Sequence, residues 1–454
     1  MKKKLFREFL IIFIILGFSI SSIETCSLSI TNDANTTNID NKSQKLKEME
    51  IYFSEPQINY NGKYAEISLK ETDSSIMYPG KPILPKYNKI IKFPLGTKIK
   101  NIDVTLSETK QLTLLKNILT APYPCIGLGN IGFLKNIFNK FINKNSVVYP
   151  KEWFDYKTGG GLDGDNHVTF LSLQLYPVKY FTKSNKIEYA EKMKIKIEYA
   201  LPENPQNFPD VYDLLILAPS EYCDNLSPLV EHKNNYNIST KLVTWEEING
   251  TGRDIPEQIK YFIKSSIENW GIKYVLLVGD KTRMPVRYTS PMAVYGEHFF
   301  GEIPTDLYYA DIYDSDGKFC SWDSNNNNKF GENTFFNSDI VDLYPDVVIG
   351  RLYCNDNSEV VDVVNKIIGY EDEIYGQDWF NNIALCGGNT HPDWKDILFL
   401  IYPLFRLYLG PGTITNEGEY IGNKISDILV NFNSEKYYAS SNNPENKLTC
   451  YNIK

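Results

Sequence analysis

Tyr212-Asp213-Leu214-Leu215-Ile216-Leu217-Ala218-Pro219 decides how this chain folds. Its core is an unbroken apolar run, the pattern of a strand covered on both faces, as in a parallel sheet flanked by helices. The segments after it keep that pattern. A helical stretch runs to His232, and a strand follows around Lys241 to Thr244. Asp254 then opens a helix with Glu257 three residues on, the spacing of a capping box. Ile255, Ile259, Ile263, Ile267 and Trp270 fall along one face of that helix, and Gly271 closes it. Tyr274 to Val278 and Asp346 to Leu352 are further buried strands. Asp356 and Glu359 cap a helix whose Val360, Val363, Val364, Ile367 and Ile368 face inward. Ile383 to Cys386 is a strand, and Ile421, Ile425, Ile428 and Leu429 mark a last helix. Alternation at this spacing predicts an α/β domain over residues 208–454, built on a doubly wound, largely parallel sheet.

Upstream the periodicity changes. Ile51-Tyr52-Phe53 and Tyr64 to Leu69 are short β-type runs, with Asn61-Gly62 as a hairpin turn between them. His167 to Leu175 is strand-like. Met193, Ile195, Ile197 and Tyr199 alternate with Lys and Glu, as in a half-buried strand with one wet face. Pro79 to Pro85 lacks too many N–H donors for a helix or a central strand. Gly159-Gly160-Gly161 and Asp163-Gly164-Asp165 read as loop punctuation, and Phe133 to Ile142 as a short helix. Residues 49–203 therefore form a mainly β domain, and Pro202 to Pro209 marks its boundary.

At the amino terminus Lys2, Lys3, Lys4 and Arg7 precede an apolar run from Phe9 to Phe18, and Ser19-Ile20-Ser21 supplies small residues for cleavage. Residues 1–26 are expected to be a signal peptide, the other reading being an uncleaved anchor. The run is short for a bilayer span, so no stable span is expected once the signal is removed. Ile23-Glu24-Thr25 is a poor lipobox before Cys26. Residues 27–48, rich in Asn, Thr, Ser and Lys, read as a polar linker.

The 454 residues carry a formal net charge of −9, with 42% hydrophobic and 23% charged residues. Those are globular proportions, and the acidic balance excludes nucleic acid as a main partner. Seven cysteines, at 26, 125, 223, 320, 354, 386 and 450, are too sparse for a disulfide framework.

The ordered series of Tyr212 to Pro219, Tyr274-Val275-Leu276-Leu277-Val278-Gly279-Asp280, Pro304-Thr305-Asp306-Leu307-Tyr308-Tyr309-Ala310-Asp311 and Tyr344-Pro345-Asp346-Val347-Val348-Ile349-Gly350-Arg351-Leu352 resembles the gingipain family of clan CD cysteine peptidases. Gly369-Tyr370-Glu371 and Ala384-Leu385-Cys386-Gly387-Gly388 fit as well. Pro79 to Pro85, His167-Val168-Thr169-Phe170 and Tyr176-Pro177-Val178-Lys179-Tyr180 look like that family's propeptide-type domain. The resemblance implies a caspase-like α/β fold and peptide-bond cleavage by a His/Cys pair. It also implies protein or peptide substrates, and a propeptide-like domain that occupies the active-site face until it is cleaved away. In the family the histidine sits in a Gly-His-Gly turn and the cysteine ends the next strand. Both come after the strand that Glu435-Lys436-Tyr437-Tyr438-Ala439 resembles. This sequence holds no Gly-His-Gly. The expectation is a chain truncated before the catalytic pair, and inactive as it stands.

Four histidines occur, His167, His232, His298 and His391. His391 lies five residues after Cys386 at a strand's carboxyl end, where open sheets place their sites. Spacing is not geometry, and Cys386, like Cys354, reads as packing. Asp323, Asn325, Asn327 and Glu332 present oxygen side chains at intervals that suit a structural Ca²⁺, a cation of six to eight hard oxygen ligands. The loop lacks the central glycine of an EF-hand, and a solvated Asn-rich turn is the other reading. Glu417 and Glu419 complement a helix dipole. Gly279-Asp280-Lys281-Thr282 lacks the glycine spacing of a phosphate loop. The reading is a secreted cysteine endopeptidase precursor. Its rival is a secreted or surface protein, calcium-binding or adhesin-like, that uses the same scaffold without catalysis.

Overall fold

The computed structural model describes residues 44–78, 80–121, 148–289, 302–332, 338–373, 376–388 and 417–449. The signal segment, most of the linker, the helix expected at 133–142, His298, His391, Cys26, Cys125 and Cys450 lie outside them. Contacts divide the chain into a larger unit that ends at Val364 and a smaller one from Asn365.

The larger unit begins with antiparallel sheets. Their strands are β1 (Gln44–Tyr52), β2 (Gln57–Asn61), β3 (Tyr64–Ser68), β4 (Ser74–Ile76), β5 (Leu84–Pro94), β6 (Lys98–Leu106) and β7 (Thr109–Thr113). β8 (Val148–Tyr149), β9 (Phe154–Asp163), β10 (Asn166–Leu175), β11 (Val178–Phe181), β12 (Lys186–Ala190) and β13 (Lys192–Ala200) complete them. They pair in the orders β1-β13-β6, β4-β5-β10-β9 and β7-β12-β11-β8, with β2 and β3 as a separate hairpin. Alternation decides the inward faces. Leu171, Leu173 and Leu175 of β10 and Met193, Ile195 and Ile197 of β13 are fully buried in one core.

Three expectations change here. Residues 44–48, read as linker, belong to β1, which is polar because its charges pair across the strand: Glu48 with Lys194 at 3.0 Å and Glu50 with Lys192 at 2.8 Å. Pro85 lies inside β5, an interior strand. It is tolerated because pairing with β10 begins only at Tyr87, so its nitrogen owes nothing on that side. Gly159-Gly160-Gly161 is no loop. It forms part of β9, paired to β10 from Gly159↔Phe170 to Gly161↔Val168. The turn is made by the next glycine, Gly164, at φ +62°.

The second part of the larger unit is a four-stranded parallel sheet. β14 (Leu214–Ala218), β15 (Thr240–Thr244), β16 (Tyr274–Val278) and β19 (Val348–Leu352) lie in the order β15-β14-β16-β19. Leu214, Thr240, Tyr274 and Val348 share one row, so the amino ends lie along one edge and the carboxyl ends along the other. β17 (Arg287–Thr289) and β18 (Ile303–Thr305) form a small antiparallel pair before β19. The helices are α1 (Cys223–Asn235), α2 (Ile255–Trp270), α3 (Leu307–Ala310) and α4 (Asn357–Glu373). In α2 the Asp254 carboxylate accepts the Glu257 N–H at 3.0 Å, and Gly271 ends the helix at φ +72°. Ile259, Ile263 and Ile267 are fully buried, whereas Ile255, expected on the same face, is 47% exposed because it opens the first turn. Lys260 takes up buried space beside them.

The smaller unit pairs β20 (Asn382–Gly387) in parallel with β21 (Asn433–Tyr438) and adds α5 (Glu417–Ile428). Gly418 approaches the Gly387-Gly388 backbone closely enough for its N–H to reach the Gly388 carbonyl at 3.1 Å.

Candidate functional site

Open α/β sheets hold their sites at the carboxyl edge. Here that edge is organised by Arg351, one residue before the end of β19. Its guanidinium donates to Asp306 Oδ2 from Nε and to Oδ1 from Nη2, both at 2.7 Å. Nη1 donates to the Gly279 and Met284 carbonyls at 2.9 and 3.0 Å. One planar fork thus ties together the turn after β16, the segment entering α3 and β19 itself. Beside it, Asp280 accepts from Thr282 Oγ1 at 2.7 Å and from the Thr282 and Arg283 N–H groups, and these bonds hold its carboxyl below the usual range. Arg283 is paired with Glu221, past the end of β14.

Cys354 stands two residues beyond β19 at this edge, but it does not have the environment of a nucleophile. It is 3% exposed, burial pushes its thiol up, and the charged groups near it are Glu359 and Asp356. A catalytic thiolate needs the reverse, a neighbouring imidazole or cation. Burial also raises the thiols of Cys320 and Cys223. Cys386 is exposed on β20. The described histidines are engaged elsewhere, His167 with a backbone carbonyl and His232 against the Tyr236 ring at 4.8 Å. A local Cys386/His391 pair cannot be placed, since His391 lies outside the described residues.

The loop expected to bind calcium is drawn together by its own hydrogen bonds. Asp323 Oδ2 accepts from Arg253 Nη1 at 2.5 Å and from the Asn328 N–H, and Oδ1 accepts from the Asn327 N–H at 2.9 Å. Burial works to raise this carboxyl, but Arg253 and the two amides outweigh it and hold it low. Asn325 Oδ1 also accepts from the Asn327 N–H, at 3.1 Å, and Asn327 Nδ2 donates to Glu332 Oε2 at 2.8 Å. Arg253 therefore supplies the positive charge that a cation would bring, and no group of three His, Cys, Asp or Glu converges for a metal among the described residues. As placed, the four side chains are held by hydrogen bonds within the loop and to Arg253.

Sequence reasoning missed the most heavily built polar region, where the β sheets meet the parallel part. Gly160 N–H donates to Asp342 Oδ2 at 2.8 Å, Leu162 N–H to the Pro345 carbonyl at 2.8 Å, and Thr169 Oγ1 to the Ser315 carbonyl at 2.9 Å. His167 Nε2 lies 2.8 Å from the Asp346 carbonyl, and Phe170 stacks on Tyr344 at 5.0 Å. The glycines of β9 allow this approach. An added Cβ would meet Tyr344 at 2.2 Å from Gly159, and the Asp314 carbonyl oxygen at 2.5 Å from Gly160.

Asp346 precedes β19, and Lys273, 3.7 Å from Asp165, precedes β16. The seam therefore lies along the amino edge of the parallel sheet. The polar contacts named above between the β-rich part and the parallel part lie at that amino edge. Behind the seam Asp311 Oδ2 accepts from Trp322 Nε1 at 2.6 Å, and Asp346 Oδ2 from the Ile312 and Tyr313 N–H groups at 2.6 and 2.7 Å. Burial raises both carboxyls, that of Asp346 strongly. Lys260, fully buried over the Tyr308 ring at 4.2 Å, is brought down to about 8 by the same loss of water. The only hint in the sequence was a lysine at a buried register of α2.

Residues 28–210 match the propeptide of family C25, and residues 208–452, more than half of the chain, match Peptidase family C25. Gingipain R2 of Porphyromonas gingivalis (strain ATCC BAA-308 / W83) is 23% identical over 175 residues, 38% of this chain. The chain spans 18% of the length of that curated relative. Among solved structures, the Arg-specific cysteine proteinase gingipain R aligns over 54% of this chain and 45% of its own, at 19% identity and a TM-score of 0.33. Zymogenic gingipain K of Porphyromonas gingivalis aligns over 35% and 88%, at 15% identity and 0.25. The structural likenesses are weak, and the sequence family carries the assignment: the chain belongs to peptidase family C25, the gingipain family of cysteine peptidases, and has that family's propeptide domain in front of its peptidase domain.

Proposed function

We propose that this chain is part of a secreted cysteine endopeptidase precursor, in which the β-rich part of residues 49–203 restrains a peptidase part over 208–454 until it is cleaved away. The observation that supports this most is the adjacency of the two family matches, which meet at residues 208–210, on either side of a seam buried within one compact unit. Peptide-bond hydrolysis would need a thiolate activated by an imidazole, and the described residues do not contain such a pair. The finer fold reading, a caspase-like doubly wound sheet, is supported by the parallel order β15-β14-β16-β19 and its strand–helix succession.

The test compares this chain with the same chain extended through a Gly-His-Gly turn and a following strand that ends in cysteine. The extended protein should hydrolyse protein substrates after loss of the β-rich part, and iodoacetamide should abolish that activity. The present chain should show no iodoacetamide-sensitive hydrolysis. Activity in the shorter chain would overturn the assignment of chemistry to residues outside the described set.

A further inference from the structure

The chain passes from the β-rich part to the parallel part through one connector, from the end of β13 at Ala200 to the start of β14 at Leu214. Its downstream half is fixed. The Phe208 ring lies 4.8 Å from His167 and 6.0 Å from Tyr313, and an added Cβ on Gly271 would stand 1.6 Å from the Pro209 carbonyl oxygen. The Val211 and Tyr212 N–H groups both donate to the Trp270 carbonyl, at 2.8 and 3.1 Å. Upstream of those anchors the chain is loose. Glu203, Asn204, Pro205, Gln206 and Asn207 are all exposed, and none of them makes a hydrogen bond or ion pair with the described residues.

The connector also lacks cations. No lysine or arginine occurs between Lys196 and Lys233. Neither of those two is open to attack: Lys196 lies in β13 between Glu48 and Asp103 of the flanking strands, and Lys233 is 7% exposed in α1. A peptidase that binds its substrate as an added strand uses the peptide's backbone groups for affinity and its alternate side chains for specificity, so the segment must not already be paired.

Few bonds in the connector meet that demand. Those leading into Pro202, Pro205 and Pro209 have no N–H on the residue after the cut. Those after Pro202 and Pro205 put a rigid ring before it. Cutting Asn207–Phe208 would require lifting half-buried Phe208 off His167. Glu203–Asn204 and Gln206–Asn207 remain.

We propose that Glu203–Asn207 is where the precursor is cut, by a peptidase that takes a glutamate or an amide side chain, rather than lysine or arginine, before the scissile bond. Water is the co-reactant. The amide C–N bond breaks, the hydroxyl completes a new carboxyl on Glu203 or Gln206, and the proton goes to the nitrogen of Asn204 or Asn207, which becomes a free amino terminus. A lysine- or arginine-directed enzyme finds no bond here. Exposed, unbonded backbone is where nicking concentrates, so the cut does not wait for the seam to open.

This inference rests on the precursor reading, and two measurements separate their failures. Gln206→Arg in the full chain creates a trypsin bond that the wild-type connector lacks, at a side chain without a partner to lose. Brief native trypsin treatment, read by fragment masses, should cut after position 206 at least about tenfold faster than after Lys196 or Lys233, whose cleavage waits on local opening. Equal rates at the three positions would overturn the proposal and leave the precursor reading standing. Amino-terminal sequencing of the peptidase part released by its native host should find Asn204 or Asn207 first. A terminus left by cleavage after a lysine or arginine would again refute the site alone. A released protein that never loses its β-rich part would overturn the precursor reading and the proposal with it.

Discussion

Replacing Gly160 by alanine puts a methyl group where the seam has no room for one. The new carbon would stand 2.5 Å from the Asp314 carbonyl oxygen and 2.9 Å from that of Tyr313. Both obstacles are backbone, so no rotamer change relieves them. Overpacking of this kind costs about 1–3 kcal/mol. Shifting β9 outward to escape it lengthens the Gly160 N–H bond to Asp342, worth about another 1 kcal/mol. The loss of glycine's freedom in the unfolded chain returns about 0.4–1 kcal/mol. The net expectation is a destabilisation of about 2–3 kcal/mol, out of about 5–15 for a folded domain. At about 2–4 °C per kcal/mol for a unit of this size, the first melting transition should fall by roughly 4–12 °C. Calorimetry of the full chain measures it, with Gly369→Ala as the control. Gly369 sits in α4 with no atom within 4 Å of an added Cβ, so alanine there should stabilise the helix by up to about 1 kcal/mol. A Gly160→Ala protein that melts within about 1 °C of wild type would show that the three glycines do not hold a close approach.

Three further outcomes are expected. Arg351→Lys keeps the charge but loses the fork on Asp306 and most of the carbonyl bonds, and should cost about 2–4 kcal/mol in urea unfolding; a loss under about 0.5 kcal/mol would mean the carboxyl edge is held by other contacts. Because Asp323 already accepts from Arg253 and two backbone amides, millimolar calcium should leave the melting temperature unchanged; a rise of several degrees would restore the cation expected at Asp323, Asn325, Asn327 and Glu332. Iodoacetamide should label exposed Cys386 in the native chain and reach Cys320 and Cys354 only after unfolding; rapid native labelling of Cys354 would contradict its burial.

The parallel strands were legible because burial on both faces leaves an unmistakable apolar run, and the capping residues of α2 announced themselves by spacing. Local patterns of this kind depend on neighbours a few residues away. The seam depends on residues about 180 positions apart, such as Gly160 and Asp342, and neither is unusual in its own stretch. A glycine triplet looks like a loop when read locally. Only the partner surface shows that it is a strand stripped of side chains so that another backbone can lie against it. The loop read for calcium shows a related ambiguity. Oxygen side chains at regular intervals are equally good at accepting their own backbone N–H groups, and the arginine that completes Asp323 enters from 70 residues upstream.

β19 connects the two regions that matter. At its amino end, Asp346 and the residues before it form the parallel part's side of the seam. At its carboxyl end, Arg351 fixes the turns where a site of this fold would be assembled. The strand between them is five residues long, hydrogen-bonded to β16 along its length. If β19 moves as a rigid strand, neither end can yield without carrying the other, so strain introduced at Gly160 should reach the Arg351 fork, and loss of the fork should in turn loosen the cross-seam amides of Gly160 and Leu162. That reciprocity separates a seam that merely stores the β-rich part from one that also tensions the sheet. If Gly160→Ala raised exchange at Leu162 but not at Gly279, whose N–H donates to the Leu352 carbonyl at 2.9 Å, the two ends would be mechanically independent and the coupling through β19 would be wrong.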